Sequence, residues 1–321
     1  MTKFRSVILG VGSYLPDRIL TNDELSKTVD TSDEWIRERS GIAQRHIAAD
    51  GEYTSDLGVK AATKALEHAG CAVEEIDLII VATTTPDLTF PSTASIIQEK
   101  LKLRSGAAFD VQAVCSGFIY AIHVADAMLK AGPYQKALVI GAETFSRILD
   151  WNDRSTCVLF GDGAGAMVLE KQETDTRGII NNFIRSDGRY CDLLHVDGGV
   201  STTQTVGHVR MVGNQVFRHA VKDIALAMRT CAESAGFNPA EIDWFVPHQA
   251  NQRILDGVGR QLGLKSSQIV STVSQHANTS AASVPLAFDV AVKDGRIKHG
   301  DLVMLEAFGG GFTWGATLLR Y

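Results

Sequence analysis

Short apolar runs alternate with longer amphipathic segments along most of the chain. SVILGVG (6–12), IDLIIVATTTP (76–86) and AAFDVQAV (107–114) are typical of buried strands, whereas DLGVKAATKALEHAG (56–70) has helical spacing. Apolar residues between 217 and 228 also follow the i, i+3, i+4 spacing of a helix. Strands that alternate with helices indicate an α/β protein, and the pattern alone predicts that most strands pair in parallel.

The two halves of the chain resemble each other. EHAGCAVEEIDLIIV (67–81) aligns with ESAGFNPAEIDWFVP (233–247) at an offset of 166 residues, and later segments align in the same order at offsets of 163 and 164. We therefore expect a duplicated fold, with an N-terminal half over 1–172 and a C-terminal half over 173–321. The polar segment KQETDTRG (171–178) is the expected join. The alternative is that such helix-turn-strand phrases recur by chance among α/β proteins.

Composition narrows the class of protein. Of 321 residues, 45% are hydrophobic and 21% are charged, as in ordinary globular proteins. The net charge of −6 argues against a general nucleic-acid binder, because no basic excess neutralises phosphates. The N-terminus lacks the features of a signal peptide, and no apolar run approaches the roughly 18 residues of a membrane span. The five cysteines are never in C-x-x-C spacing, which disfavours a disulfide framework or a zinc site, and we expect a cytoplasmic protein.

Three residues with chemical potential lie where predicted strands end. Cys115 follows AAFDVQAV and precedes an apolar helix-like run, and Asn278 occupies the equivalent joint of the second half at the 163-residue offset. His248 follows the strand-like IDWFVP (242–247). Because ligands of α/β proteins gather at the carboxyl ends of strands, we expect these three side chains to meet.

Each of these residues has a chemical and a structural interpretation. Cys115 is a candidate nucleophile, because a helix-dipole contribution of up to about 2 kcal/mol would bring a thiol pKa from about 8.5 to near 7. Otherwise it is a buried small hydrophobe. His248 is a base for Cys115, a donor to a substrate oxygen, or a structural histidine. Asn278 is a donor to a carbonyl or a helix cap. The glycines of AFGGGFTWG (307–315) offer N–H groups to an oxyanion, or form a tight turn between two strands.

Seven segments together resemble the β-ketoacyl-acyl-carrier-protein synthase III family, the condensing enzymes that initiate fatty-acid synthesis. They are DTSDEWI (30–36), GI-x-x-RHI (41–47), AVCSGF (113–118), FGDGAGA (160–166), HQAN (248–251), HANTSAASVP (276–285) and FGGGFTWG (308–315). The resemblance covers essentially the whole chain. It implies the fold class α/β, as a thiolase-like duplicated fold of two βαβ-containing halves with mixed sheets packed in layers.

The resemblance also implies a reaction. Cys115 is the nucleophile, His248 and Asn278 assist decarboxylation, and the oxyanion hole consists of the backbone N–H groups of Cys115 and Gly310. An acyl group from acyl-CoA, with acetyl-CoA favoured, is loaded onto Cys115 and then condensed with malonyl-acyl-carrier protein. This chemistry implies no cofactor and no metal.

Binding residues are implied by the same resemblance. Trp35 and Arg154 would enclose the adenine of coenzyme A, and Phe90 would close the acyl pocket across a homodimer interface. Five further residues would line the coenzyme A channel: Thr31, Arg39, Asn214, Phe217 and Asn251. Three would form a basic patch for the carrier protein: Arg218, Arg253 and Arg260. Where relatives often carry a second basic residue, this chain has Gln261. Neither nucleic acid nor a membrane is expected as a partner.

Three other functions are compatible with parts of this pattern. One is a related Cys-His-Asn condensing enzyme of secondary metabolism, and another is a catalytically silent module that binds acyl thioesters. A papain-like peptidase uses similar residue types, but the α/β alternation and the three strand-end positions disfavour it. The sequence leaves the length and branching of the primer open, because acyl groups that differ by a methylene differ by only about 1–3 kcal/mol in a pocket.

Overall fold

The computed structural model describes residues 4–321, which form thirteen strands and ten α-helices. The strands are β1 (Phe4–Tyr14), β2 (Arg18–Thr21), β3 (Gln44–Ile47), β4 (Leu78–Ala82), β5 (Ala107–Val111), β6 (Lys136–Glu143), β7 (Gly163–Glu173), β8 (Gly178–Ser186), β9 (Leu194–Val196), β10 (Val209–Met211), β11 (Trp244–Pro247), β12 (Leu302–Gly309) and β13 (Thr313–Arg320). The helices are α1 (Asn22–Leu25), α2 (Asp33–Ser40), α3 (Thr54–Ala69), α4 (Thr93–Lys100), α5 (Gly117–Ala131), α6 (Arg154–Cys157), α7 (Gly213–Glu233), α8 (Gln252–Leu262), α9 (Val273–His276) and α10 (Ser283–Lys293).

Two large sheets organise the molecule. The first has the strand order β1-β7-β6-β4-β5 and the second the order β11-β12-β13-β8. β4 pairs in parallel with β5 and β6, and β11 pairs in parallel with β12, whereas the other four ladders are antiparallel. The expectation of largely parallel pairing, drawn from the strand-helix alternation alone, is therefore wrong. The mixed sheets implied by the family resemblance are confirmed, because β7 and β13 each run back beside the preceding strand.

The duplication is visible in the topology. Read from one edge, the order β1-β7-β6-β4 of the first sheet is repeated as β8-β13-β12-β11 in the second. The strands β4 and β11 carry the aligned IDLIIV and IDWFVP segments. The chain passes from one sheet to the other between Glu173 and Gly178. The exact division into halves over 1–172 and 173–321 stays a prediction.

Helices α5 and α10 form the central layer of the core. One hydrophobic cluster contains residues of both helices together with inward residues of both sheets, so the two helices are packed between the sheets. A second cluster joins α3 and α4 to the outer face of the first sheet, and a third joins α7 and α8 to the second sheet. The result is five alternating layers of helix and sheet, with the joints at the start of α5 and α10 buried near the centre.

The expectation that no apolar run approaches the length of a membrane span is wrong for the stretch Val114–Ala131, which contains α5. Within residues 4–321 it is the one helical stretch that is long and apolar enough to cross a membrane, with a mean hydropathy of 1.2 over 18 residues. More than half of it is buried in the protein. Its composition follows from its position, because a helix that contacts a sheet on either side is apolar around most of its circumference.

Candidate active site

Cys115 lies in a tight turn that joins β5 to α5. The strand ends at Val111, a single 3-10 turn spans Val114–Ser116, and α5 begins at Gly117. Val114 has a φ of +49°, in the left-handed region that β-branched residues rarely adopt. This conformation turns the chain sharply just before the thiol, which is 3% exposed. The prediction that Cys115 follows a strand and precedes a helix is confirmed.

Asn278 lies just before the matching turn of the second half. The 3-10 turns and helix starts of the two halves are 166 residues apart, so Cys115 corresponds to Ala281 and the expected equivalence of Cys115 and Asn278 is wrong. Ala277, before it, has a φ of +57°, and the 3-10 turn Ser280–Ala282 leads into α10. The expected strand before this joint is wrong: Ile269 makes only an isolated bridge to Phe245, and the short helix α9 follows. Asn278 is instead held by main-chain hydrogen bonds, its N–H to the Leu159 carbonyl (3.0 Å) and its carbonyl to the Gly161 N–H (3.0 Å).

The oxygen of the Asn278 side-chain amide is hydrogen-bonded within the protein. This Oδ1 accepts a hydrogen bond from the Ser280 N–H at 2.9 Å, so the capping interpretation holds for the oxygen. The NH₂ end makes no hydrogen bond within residues 4–321 and borders the cavity described below. Asn278 is therefore a cap and also a candidate donor, and the two interpretations are compatible.

His248 follows β11 directly, as predicted. It is 5% exposed, and its backbone N–H donates to the Glu306 carbonyl at 2.8 Å. Its Nδ1 lies 2.5 Å from the Oγ of Ser283, the first residue of α10. Burial lowers the pKa of His248 to about 3, so the imidazole is neutral at physiological pH.

The three predicted residues share one cavity of about 350 Å³. Cys115, His248 and Asn278 line it, and Phe308 at the end of β12 forms another part of its wall. The expectation that strand-end residues from both halves meet is thus fulfilled in the geometry. A nucleophile, a neutral imidazole and an amide around a mainly apolar cavity are the groups that acyl-transfer chemistry needs.

The pKa of Cys115 differs from the sequence-based expectation. Burial raises it to about 12; the Ser280 hydroxyl opposes this shift and the charge of Glu143 adds to it. The expected value near 7 is wrong, because it counted the favourable helix start and left out the loss of hydration. The desolvation of a thiolate that is almost fully buried outweighs a dipole contribution of about 2 kcal/mol.

The glycine-rich segment is a hairpin turn and also a wall of the site. Residues 310–312 connect β12 to β13, so the tight-turn interpretation holds. A Cβ on Gly309 would lie 2.8 Å from the Cys115 nitrogen and 3.0 Å from that of Ser116. The N–H groups of Cys115 and Gly310 donate to no backbone carbonyl within the described residues. The two predicted oxyanion donors therefore lie on neighbouring segments and are not used by secondary structure.

Most of the predicted coenzyme A residues lie in or beside the cavity of Cys115. Four of them line the same cavity as Cys115: Arg39, Asn214, Phe217 and Asn251. Arg39 and Asn251 also border a smaller pocket of about 70 Å³ beside Trp35. The hydroxyl of Thr31 is buried and has no hydrogen-bond partner among residues 4–321. Trp35 packs against a hydrophobic cluster, so its core-packing interpretation also holds.

Arg154 departs from the expected adenine sandwich. Its guanidinium lies 5.0 Å from the Trp35 ring centroid, and it donates to the Asp30 carbonyl at 2.6 Å. A base stacked between the two needs about 7 Å, which is two van der Waals contacts of roughly 3.5 Å. The structure therefore brings Trp35 and Arg154 together, but with too little space for a ring between them unless Arg154 moves.

The remaining predicted residues are on the surface. Arg218 on α7 and Arg253 and Arg260 on α8 are exposed, and Arg253 borders the cavity mouth and donates to the Glu38 carbonyl at 3.0 Å. Phe90 is 82% exposed and does not reach the cavity of its own chain. Within residues 4–321, no group of three His, Cys, Asp or Glu side chains could hold a metal ion.

Three residues of this region were missed by sequence reasoning. Ser283 contacts His248, Ser280 fixes Asn278, and the buried Glu143 accepts hydrogen bonds from the Ser280 hydroxyl at 3.1 Å and from the Thr85 hydroxyl at 2.6 Å. Both serines lie within the HANTSAASVP segment, but no spacing rule distinguishes them from helix-forming neighbours. Glu143 carries no sequence signal that we can identify.

A duplicated five-layer α/β fold with cysteine, histidine and asparagine around one buried cavity defines a condensing enzyme of the thiolase-like class, which is an acyltransferase. The family model for 3-oxoacyl-[acyl-carrier-protein] synthase III matches residues 109–188, and the model for the C-terminal part of that enzyme matches residues 232–321. The β-ketoacyl-[acyl-carrier-protein] synthase III of Rhodospirillum centenum is 62% identical over 99% of both chains. The chain belongs to the β-ketoacyl-[acyl-carrier-protein] synthase III family, and the resemblance found in the sequence motifs is confirmed.

Solved structures agree with this assignment. The 3-oxoacyl-[acyl-carrier-protein] synthase III of Aquifex aeolicus VF5 superposes with a TM-score of 0.94 at 46% identity, over 98% of this chain and 100% of that one. The priming β-ketosynthase of the R1128 polyketide pathway superposes with a TM-score of 0.93 at 36% identity, over 98% of this chain and 96% of that one. The predicted thiolase-like fold is thereby confirmed.

Proposed function

We propose that this protein condenses an acyl-CoA primer, with acetyl-CoA favoured, with malonyl-acyl-carrier protein to give a β-ketoacyl-acyl-carrier protein, the first condensation of fatty-acid synthesis. The observation that carries the proposal is the single cavity lined by Cys115, His248 and Asn278. The 62% identity to a fatty-acid-type relative, against 36% to a polyketide priming enzyme, favours this product over a secondary metabolite. The complete set of three residues disfavours a silent binding module.

In the first step, the Cys115 sulfur attacks the thioester carbonyl of the primer. A bond forms between sulfur and the acyl carbon, the bond from that carbon to the sulfur of coenzyme A breaks, and the thiol proton ends on the released coenzyme A. Negative charge develops on the carbonyl oxygen in between. The N–H groups of Cys115 and Gly310, which donate to no backbone carbonyl in the described part of the chain, are suited to stabilise it.

In the second step, malonyl-acyl-carrier protein enters the same cavity. Its carbon–carboxylate bond breaks, carbon dioxide leaves, and the electron pair passes to the thioester as an enolate whose carbon attacks the acyl group on Cys115. The bond from the acyl carbon to the Cys115 sulfur breaks as the new carbon–carbon bond forms, and the released thiolate takes up a proton from water. The imidazole of His248 and the NH₂ of Asn278 are neutral donors for the enolate oxygen, and the apolar cavity strengthens both hydrogen bonds.

Substrates reach Cys115 through its cavity, from the side where Arg39 and Asn251 border the pocket of Trp35. The cavity is lined by Phe217, Asn214 and Asn251 and is about 350 Å³ in volume, a size that suits the pantetheine arm shared by both substrates. The exposed arginines 218, 253 and 260 lie on α7 and α8, and we assign them to the acidic carrier protein. Arg253 also borders the cavity, so it contributes to both substrates.

Phe90 supports a homodimer. Two neighbouring apolar side chains, Leu88 and Phe90, are 54% and 82% exposed, and such an exposed apolar patch is typical of an interface. In the proposed dimer, Phe90 closes the acyl pocket of the partner.

Separate assays of the two half-reactions test the function. Mass spectrometry of the intact chain with acetyl-CoA should show acetyl transfer to Cys115, and labelled malonyl-acyl-carrier protein should release carbon dioxide. Cys115→Ala should abolish acylation and condensation but retain some decarboxylation. His248→Ala and Asn278→Ala should retain acylation and lose about two to three orders of magnitude in decarboxylation rate. Absence of an acyl-enzyme, or loss of acylation with normal decarboxylation in Asn278→Ala, would contradict the proposal.

A further inference from the structure

Ser283 is in direct contact with the ring of His248. Its Oγ lies 2.5 Å from Nδ1, and Ser283 and His248 are 1% and 5% exposed. A buried imidazole that is neutral carries one proton, on either Nδ1 or Nε2, and the hydrogen bond at one nitrogen decides which. Ser283 is therefore in a position to fix the hydrogen-bonding character of the opposite nitrogen.

The direction of this hydrogen bond follows from the surroundings of Ser283. Its oxygen also accepts a hydrogen bond from the Gln249 N–H at 3.3 Å. The turn that aims this N–H is fixed by the Gln249 side chain, which donates to the Pro247 carbonyl (2.8 Å) and accepts from the Thr272 N–H (2.7 Å). Within residues 4–321 the hydroxyl has no acceptor other than the His248 ring. The serine proton therefore points to Nδ1, and Nδ1 accepts.

We propose that Ser283 is a positioning residue that holds His248 in the tautomer with its proton on Nε2, so that the imidazole donates a hydrogen bond to the substrate and does not act as a base for Cys115. This inference rests on the proposed function, in which His248 donates to the enolate oxygen, and it names the residue that prepares the imidazole for that role. Burial lowers the pKa of His248 and keeps the ring neutral, as a single tautomer requires. The thiol proton then leaves with coenzyme A and is not stored on His248.

The first half of the chain has no counterpart of this contact. Ser283 is the first residue of α10, and the first residue of α5 is Gly117, where a Cβ would lie 3.2 Å from the Cβ of Ala82 at the end of β4. The serine is thus not required by the repeated fold, whose first half has a different residue there. It is present only beside the histidine.

The tautomer can be measured on the unmodified protein. Long-range ¹H–¹⁵N spectra of histidine-labelled protein, in which His248→Ala identifies the signal among the nine histidines, should show a protonated Nε2 and an unprotonated Nδ1 for His248. This measurement involves no substrate, so it can fail while the proposed function stands. A protonated Nδ1 would overturn the proposal.

Variants test the consequence for catalysis. Ser283→Ala should lower the decarboxylation rate about tenfold to a hundredfold, less than the loss of the whole donor, and should leave the rate of Cys115 acylation within about twofold. Ser283→Thr, which keeps a hydroxyl, should recover most of the decarboxylation. Thr317→Val, which removes another buried hydroxyl and its 2.7 Å hydrogen bond to Asn182, is the control and should change neither rate. Equal losses in both half-reactions, or unchanged decarboxylation in Ser283→Ala, would overturn the proposal.

Discussion

Val114 and Ser280 have the same positive φ angle at equivalent points of the two halves. Both φ angles are +49°, and each residue is the first of the 3-10 turn that leads into α5 or α10, 166 residues apart. A positive φ at a residue other than glycine costs of order 1–3 kcal/mol and persists only where the surroundings enforce it. The duplicated turn therefore carries the nucleophile Cys115 in the first half, and in the second half it carries Ser280, whose N–H holds the Oδ1 of Asn278 beside the same cavity.

The raised pKa of Cys115 gives a direct test of how the thiol is activated. With a pKa of about 12, the thiolate fraction rises tenfold per pH unit across the accessible range. We expect the rate of Cys115 alkylation by iodoacetamide to increase in this way from pH 6 to pH 9, with no plateau. Peptide mass spectrometry separates Cys115 from the exposed Cys191. A plateau above pH 8 would instead support the value near 7 that the helix start alone suggests.

Gly309 should be intolerant of a side chain. In Gly309→Ala the new Cβ would meet backbone nitrogens of the nucleophile turn at 2.8 and 3.0 Å, which side chains cannot relieve. We expect a loss of stability of about 1–3 kcal/mol and a larger loss of acylation than of decarboxylation. Gly188→Ala is the matched control, because a Cβ there meets nothing within 4 Å. Normal acylation in Gly309→Ala would show that the turn accommodates the methyl group.

Substitution of Arg260 gives the most specific test of the carrier-protein patch. It is exposed and makes no ion pair within residues 4–321, whereas Arg253 also lines the cavity and contacts α2. Arg260→Glu should raise KM for malonyl-acyl-carrier protein about tenfold at low salt, with a smaller effect at high salt, and leave acylation by acyl-CoA unchanged. Arg253→Glu should impair both half-reactions. The patch assignment fails if Arg260→Glu leaves the KM for the carrier protein unaltered.

Glu143 should make the stability of the protein depend on pH. Burial raises its pKa to about 7 from an ordinary 4.5, so the folded protein binds this proton more tightly than the unfolded chain does. Its contribution is complete below pH 4.5 and is lost as the pH rises through 7, by roughly 3 kcal/mol at most. In urea unfolding at several pH values, the stability of the unmodified protein relative to Glu143→Gln should fall between pH 5 and pH 8. A constant difference would show that Glu143 is ionised in the folded state.

The exposed Phe90 predicts the oligomeric state. We expect sedimentation at micromolar concentration to give twice the 34.7 kDa chain mass, and Phe90→Asp to shift the equilibrium toward the single chain because it places a charge in an apolar interface. Leu226→Asp is the control, since Leu226 is also exposed (55%) but lies on the outer helix α7. A fully active single chain would contradict the dimer.

The sequence by itself determined the class of the fold and the identity of the three central residues. Hydrophobic periodicity is a local property, so the alternation of strands and helices, the repeat, and the positions of Cys115 and His248 after strands could all be predicted. The family motifs are local too, and their order along the chain led to the correct family. The rule that functional residues gather at strand ends placed Cys115 and His248 correctly, but β5 and β11 belong to different sheets and Asn278 follows no strand, so the convergence of all three depends on how the two halves pack.

Only the tertiary structure decided the electrostatics and the supporting contacts of the site. The pKa of Cys115 depends on burial by segments from both halves, and the contact between Gly309 and the Cys115 nitrogen joins residues almost 200 positions apart. Ser283 and His248 are separated by 35 residues, and nothing in their local sequence predicts the hydrogen bond between them. Arg154 lies too close to Trp35 for the expected sandwich because Asp30 holds it there. These properties depend on distances between segments that are far apart in the chain, and such distances exist only after the two halves have packed together.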